Sequence, residues 1–462
     1  MAAKWKNPAR SKPKDARAAA LLTLLDIDAG RFPEDALEDY SSEYMAGLDR
    51  RDRALAHALV FGVLRHRSRL DWTLNHFLKK PDKPLEPVIR IILWLGLFQL
   101  VHLDRIPASA SVNESVKLAR DYGPTWSVKL INGVLRAVTR AKALPDPQKA
   151  NLPSIKKLAL AESHPEWMVR QWVNQLGYDE AAAFLNANNQ IPPLTLRVNT
   201  ASISREELLA LLRDRVDQVK PTFYSPEGLL IFGPTGSIPN LPGYSEGYFT
   251  IQDEASQMVA HLARPRAGEK ALDACAGRGG KALHLVSLAR SSPVWALDPD
   301  LARLTHIEPE ARRLWLDSPI VVQGDLLHNP FKPESFEKVL LDAPCSSLGI
   351  IRRRPDIKWL KSASDPPRLA EFQYKLLDAA ALLVRPGGRL VYSVCTMTQE
   401  ETSGCVEAFL SGHTNFKLIT ARDFLPPSAH PLVGPDRTLQ TWPHKHQSDG
   451  FFAAVLKKGS DH

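Results

Sequence analysis

At 462 residues, with a formal charge of +8 and four cysteines, the chain is too long for one ordinary core and too thiol-poor for a disulfide scaffold. Its longest dense apolar run, residues 91–98, falls far short of the roughly 20 residues a membrane helix needs. The first twenty residues carry six Lys or Arg and no apolar stretch, so neither a membrane span nor a secretory leader is expected, and a reduced, cytoplasmic, multidomain monomer is.

The charge is unevenly placed. Residues 1–145 hold 24 Lys and Arg against 16 Asp and Glu, whereas the remainder holds 35 of each. The surplus thus belongs to the N-terminal third, as expected of a module that meets a polyanion, because phosphate contacts supply most nonspecific nucleic-acid affinity. A solvated basic surface is the alternative.

Residues 1–14 read as a basic tail. Over 15–145 apolar residues recur at helical spacing, as in Leu55, Leu59 and Val63 with Val60 and Leu64 beside them, which predicts an all-α bundle with 91–98 as a buried helix. Arg50, Arg51 and Arg53 open the helix carrying that stripe, and Arg65, Arg67 and Arg69 follow it; arginine suits bidentate phosphate contact. The Pro-containing, aperiodic stretch 144–153 marks a boundary. A small α+β module is expected over 154–246, with a helix over 164–176, a strand over 194–199 and a helix over 204–213 opened by a capping box of Ser204 and Glu207.

From 247 to 458 strands alternate with helices. The strands are expected at 271–275, 294–298, 320–323, 338–343 and 389–395, which implies an α/β, doubly wound, Rossmann-like sheet that binds ligands at its carboxyl edge. The first of these strands runs into Ala276, Gly277, Arg278, Gly279, Gly280 and Lys281, where glycines let backbone approach a ligand at a helix N-terminus. Asp298 ends the next strand, suited to ribose hydroxyls, and Asp325 follows the third, suited to adenine. An adenosine cofactor fits, but so does a nicotinamide dinucleotide, because Gly277, Gly279 and Ala282 with Asp298 about 20 residues on also satisfy its fingerprint.

Two thiols separate these readings. The fourth strand delivers Asp342, Ala343, Pro344 and Cys345, the fifth Tyr392, Ser393, Val394 and Cys395, so neighbouring strands bring both cysteines to one edge beside a carboxylate. Carbon 5 of cytosine is too weak a nucleophile to attack a sulfonium methyl unaided, and a thiolate adding to carbon 6 makes it enamine-like. Hydride transfer has no comparable use for the pair.

These segments resemble the three signature motifs of the RNA cytosine-C5 methyltransferases: Asp273, Ala274 and Cys275 with Gly279 to Lys281; Asp342 to Ser346; Tyr392, Ser393 and Cys395. Supporting matches are Leu196 to Asn199, Gln252 to Ser256 and Asp449 to Phe452. Arg53 to Leu64 with Arg65 and Leu70, Ser109 to Lys117, and Asn132 to Val134 resemble the NusB-like RNA-binding domain, as in the RsmB/Sun/Fmu branch that modifies small-subunit ribosomal RNA. The resemblance implies three parts: a NusB-like helical bundle, a small α+β RNA-binding module and a Rossmann-like methyltransferase domain.

It also implies S-adenosyl-L-methionine as cofactor and ribosomal RNA as partner; no metal is expected, because the four cysteines form no close pair with metal-ligand spacing. Cys395 falls on the family's nucleophile and Cys345 on the thiol of product release, with Asp342 and Lys281 completing the catalytic set; the reverse assignment of the cysteines is the alternative. The implied cofactor contacts are Asp273, Cys275, Ala276, Gly277, Arg278, Gly279, Gly280, Lys281, Asp298, Arg303, Asp325 and Asp342. The target base must leave its stack to meet the thiol. Arg278 and Ala282 depart from the family's usual Pro and Thr or Ser, and Arg278 is the feature favouring a noncatalytic RNA-binding or ribosome-assembly factor. Arg352, Arg353 and Arg354 with Lys358 and Trp359 are expected to hold RNA phosphate and stack a base. His444, Lys445 and His446 are expected to line the site without binding metal.

Overall fold

The computed structural model describes residues 13–30, 44–233, 236–289 and 292–460, so all but two residues of the expected basic tail lie outside it. The chain forms two compact units. Residues 1–190 with 353–362 make the first, and 191–352 with 363–462 the second.

The first unit is helical. Helices Ala16–Asp28, Arg50–Asn75, Pro87–His102, Ala108–Tyr122 and Ser127–Arg140 share a core that includes Leu21, Leu59, Ile92 and Leu135. The expected stripe is the buried face of Arg50–Asn75, a 26-residue helix capped by the Asp49 carboxylate, which accepts from the Asp52 N–H at 2.8 Å. The apolar run at 91–98 lies in Pro87–His102, which is buried on nearly every side. Gly62 permits this packing: a Cβ there would sit 2.0 Å from the Phe98 ring. Helices Ser154–Ala161, Glu166–Leu176 and Tyr178–Asn188 also belong to this unit, and the helix read at 164–176 packs against the other two.

The second unit contains two sheets. β1 (Leu194–Val198), β2 (Gln218–Pro221), β3 (Gly228–Phe232) and β4 (Phe249–Ile251) form an antiparallel sheet in the order β2-β3-β1-β4. Helix Arg205–Leu212 opens with the expected reciprocal box of Ser204 and Glu207, and its Leu208 and Leu212 cover Leu196, Leu229, Ile231 and Phe249.

The larger sheet contains β5 (Ala271–Asp273), β6 (Val294–Asp298), β7 (Ile320–Gln323), β8 (Phe336–Asp342), β9 (Val384–Val394), β10 (Phe416–Ile419), β11 (Leu439–Thr441) and β12 (Phe451–Lys458). Its order is β10-β12-β9-β8-β5-β6-β7, with β11 added on β12. The five expected strands, β5 to β9, pair in parallel. The antiparallel β10–β12 extension was not read from the sequence: β12 is apolar over most of its length because it is buried between β9 and β10, not because it resembles the strands before it. From β5 the chain winds to β6 on one side and later to β8 on the other, so the switch point lies beside β5, where a ligand crevice opens. No described helix is long and apolar enough to cross a membrane.

Candidate active site

The loop after β5 supplies one wall of this crevice. Gly277 (φ 53°) and Gly279 (φ 83°) take left-handed backbone that disfavours other residues, and a Cβ on Gly279 would strike Ile307. Asp298 at the end of β6 holds the loop by accepting from the Gly277 N–H at 2.8 Å and from the Asp300 N–H at 2.9 Å. Helix Gly280–Ala289 then begins, with Gly280 and Lys281 of its first turn on the pocket wall.

A pocket follows, lined by Gln252, Ser256, Asp273, Cys275, Ala276, Gly280, Lys281 and Asp342. Six of these are sequence-predicted; Gln252 and Ser256 enter from the loop before and the first turns of helix Glu254–Ala263, and only their match to the family's supporting segment marked them. Asp273 Oδ1 and Gln252 Oε1 are buried there without a hydrogen-bond partner. Burial, then the neighbouring Asp342, raises the Asp273 carboxyl to about 7. Two orphaned acceptors in a pocket under a glycine loop suit a ligand that brings N–H donors, as the methionyl ammonium of S-adenosylmethionine does. The residues present therefore fit that cofactor.

Not every expected contact converges. Arg278 is exposed and lies off the pocket wall. Arg303 pairs with Asp300 at 3.3 Å, and exposed Asp325 caps its own turn by accepting from the Leu327 N–H.

The opposite wall carries the chemistry. Asp342, at the end of β8, accepts from Lys281 Nζ at 2.6 Å and from Ser393 Oγ at 2.7 Å. Burial alone would lower the Lys281 ammonium; the Asp342 charge and hydrogen bond outweigh it and raise it. The two thiols, from loops after adjacent strands β8 and β9, stand 3.2 Å apart, and Cys395 Sγ lies 3.5 Å from Ser347 Oγ. The hydrogen bond from Cys345 is the main influence lowering the Cys395 thiol, helped by Ser347 and Lys281 against burial and Asp342. The same contact, then burial, holds Cys345 well above its ordinary value. The two shifts thus run in opposite directions, Cys395 downward and Cys345 upward, within one interacting pair.

A buried network behind the thiols escaped the sequence reading. Glu401 accepts from the Ser346 N–H (2.8 Å), Ser346 Oγ (2.5 Å), Thr398 Oγ1 (3.0 Å) and Gln373 Nε2 (2.9 Å). Ser346 Oγ also accepts from the Thr396 hydroxyl at 2.9 Å, and Gln373 Nε2 donates to the Pro344 carbonyl at 3.0 Å. The residues flanking both cysteines are therefore tied together. Ser347, at φ 61°, is strained at the same loop.

The basic run after Cys345 is corrected. Arg352 is buried, donating to Asp449 at 2.5 Å and to the Gln447 carbonyl, and Arg354 pairs with Asp356. Lys358 is wholly buried and donates to the carbonyls of Arg65 and Ser163 and to Asn189 Oδ1, while Trp359 Nε1 donates to the Leu64 carbonyl. Arg352 and Lys358 are thus committed inside the fold, whereas Arg353, Arg354 and Trp359 are half-buried. The second arginine triplet is likewise committed: Arg65 is buried, Arg67 pairs with Asp28 at 2.7 Å, and Arg69 donates to the Pro145 carbonyl, whereas Arg50, Arg51 and Arg53 stay exposed.

Comparison with known proteins agrees with this architecture. Residues 260–457 match the 16S rRNA methyltransferase RsmB/F family, 14–140 the NusB family, and 164–236 the ferredoxin-like domain of RsmF/B-like methyltransferases. The chain is 34% identical over 418 residues to the probable ribosomal RNA small subunit methyltransferase B of Bacillus subtilis, covering 89% of this chain and 92% of that one. It is 35% identical over 412 residues to ribosomal RNA small subunit methyltransferase B of Escherichia coli, covering 88% and 91%. The chain belongs to the RsmB/F family of ribosomal RNA methyltransferases. Family membership sets aside the nicotinamide oxidoreductase. The fold also matches the crystal structure of PH0851, with TM-score 0.77 and 25% identity over 95% of this chain and 98% of that one. NSun6 from Pyrococcus horikoshii with SFG matches in fold at TM-score 0.56 and 23% identity, over 65% of this chain and 100% of that one.

Proposed function

We propose that this RsmB/F-family enzyme methylates carbon 5 of a cytosine in small-subunit ribosomal RNA through a covalent Cys395 adduct. The observation that carries the reading is the pair of thiols 3.2 Å apart beside an Asp342–Lys281 ion pair, at the rim of a pocket with unfilled acceptors.

Asp273, Gln252 and the 275–280 loop hold S-adenosylmethionine, whose sulfonium supplies an electrophilic methyl group. Cys395 thiolate adds to carbon 6 of a cytosine turned out of its stack, and the ring electrons move toward carbon 5. Asp342, steadied by Lys281 and Ser393, faces N3 and relays to it a proton from the Lys281 ammonium as negative charge develops on the ring, the proton returning to Lys281 when the ring is restored. Once carbon 5 carries the methyl, loss of its proton to a base and breakage of the carbon–sulfur bond restore the aromatic ring and the Cys395 thiolate. Cys345 promotes that release by holding its proton on the departing sulfur.

The test is transfer of labelled methyl to unmodified small-subunit ribosomal RNA by wild type, Cys395→Ala and Cys345→Ala, with denaturing gels for protein–RNA adducts. Activity in wild type, silence in Cys395→Ala and accumulated adduct in Cys345→Ala are expected. Full activity in Cys395→Ala with none in Cys345→Ala would reverse the two roles.

A further inference from the structure

A second cavity lies within the same unit, at the edge of the sheet opposite the thiols. Lys338 is four residues upstream of Asp342 on β8, roughly 13 Å along the strand, and it is in register with Arg389 of β9, which in turn faces Lys457 of β12. Together with Arg264 and Arg266 these side chains give the cavity five cations, against Glu269 and Asp423. Glu269 is already committed: it pairs with Lys338 Nζ at 2.8 Å and accepts from the Arg266 N–H at 2.7 Å.

Arg389 is the centre of this arrangement. Its guanidinium lies over the Phe424 ring at 4.1 Å, and Nη2 donates to the Arg264 carbonyl at 3.0 Å, so its plane is fixed. Its Nη1 is buried and has no hydrogen-bond partner. A pre-oriented guanidinium with an unmet N–H, among other cations, is built to receive an oxyanion with several oxygens. Burial lowers Arg389 to about 10, with Glu269 opposing and Arg266 adding to the effect.

We propose that this cavity is a binding site for a phosphate-bearing ligand, separate from the methyl-transfer pocket, with Arg389 as its anchor and Arg266 at its exposed rim. The ligand chemistry is phosphoryl oxygen, supplied either by an RNA backbone or by a free polyphosphate.

The experiment is calorimetric titration of the full chain with inorganic pyrophosphate at low ionic strength, using wild type, Arg389→Gln, Arg266→Gln and the control Arg385→Gln. Arg385 is exposed, pairs with Glu337 and lies outside the cavity. The expected result is a single site whose Kd rises about ten-fold in Arg389→Gln and several-fold in Arg266→Gln, with Arg385→Gln within about two-fold of wild type. Arg266→Gln keeps the test open should Arg389→Gln fail to fold. A ribosomal RNA fragment that displaces pyrophosphate, and binds Arg389→Gln more weakly, identifies an RNA backbone as the source. ATP binding with the same sensitivity to Arg389→Gln, without RNA competition, identifies a free polyphosphate. Absence of pyrophosphate binding to wild type, or equal Kd values in the two cavity variants and the control, overturns the proposal.

Discussion

Glu401 offers a sharp test of how the two thiols are held. Glu401→Ala strands the buried Ser346 N–H and the buried Thr398 hydroxyl, while Ser346 Oγ keeps Thr396 and Gln373 Nε2 keeps Pro344. Two stranded donors cost about 1–3 kcal/mol each and the void about 1, so the total loss is about 3–7 kcal/mol. Glu401→Gln differs. Its carbonyl accepts from the Ser346 N–H and Gln373, and its amide donates to the Ser346 and Thr398 hydroxyls once these rotate. Burial, the largest influence, already holds the Glu401 carboxyl above its ordinary value despite four donors, so a neutral group is tolerated. Its cost is about 1 kcal/mol. Urea unfolding and labelled methyl transfer measure both variants: Glu401→Ala should fold less stably and lose about ten-fold or more in kcat, Glu401→Gln no more than about three-fold. Wild-type behaviour of Glu401→Ala, or equal damage from the two substitutions, would refute the argument that these hydrogen bonds set the thiol loops.

Lys281→Met removes a cation that helps hold the Cys395 thiol low, so the pH at which the thiolate forms should move upward; iodoacetamide alkylation against pH reads this, and an unmoved profile counts against the assignment. Lys358→Met leaves the carbonyls of Arg65 and Ser163 and Asn189 Oδ1 without their donor, offset by relief of a buried charge, and should destabilise the helical unit by about 2–4 kcal/mol in urea. Burial, then His102, Lys358, Arg65 and Arg69, lowers His66 to about 3. Between about pH 6.5 and 3 the unfolded chain therefore binds a proton that the folded chain refuses, so His66 makes stability fall as pH drops through that window. His66→Phe should flatten the fall seen by urea unfolding; an unchanged slope would exclude His66 as its cause.

What the amino-acid order determined by itself was local and periodic. Apolar spacing places the helix Arg50–Asn75 and the strands β5 to β9, because the burial period differs between helix and strand, and the capping box at Ser204 spans only four residues. The motif residues were legible for the same reason: a loop at a strand's carboxyl end lies at the ligand edge wherever the strand sits. Tertiary structure decided what depends on partners distant in sequence. The 3.2 Å between thiols fifty positions apart requires β8 and β9 to be neighbours. Lys358 and Arg65 read as cations for RNA until carbonyls and apolar neighbours close around them, because charge in a sequence carries no record of burial. Glu401 is the clearest case: its four donors come from three separate segments, and only the fold brings them to one carboxylate.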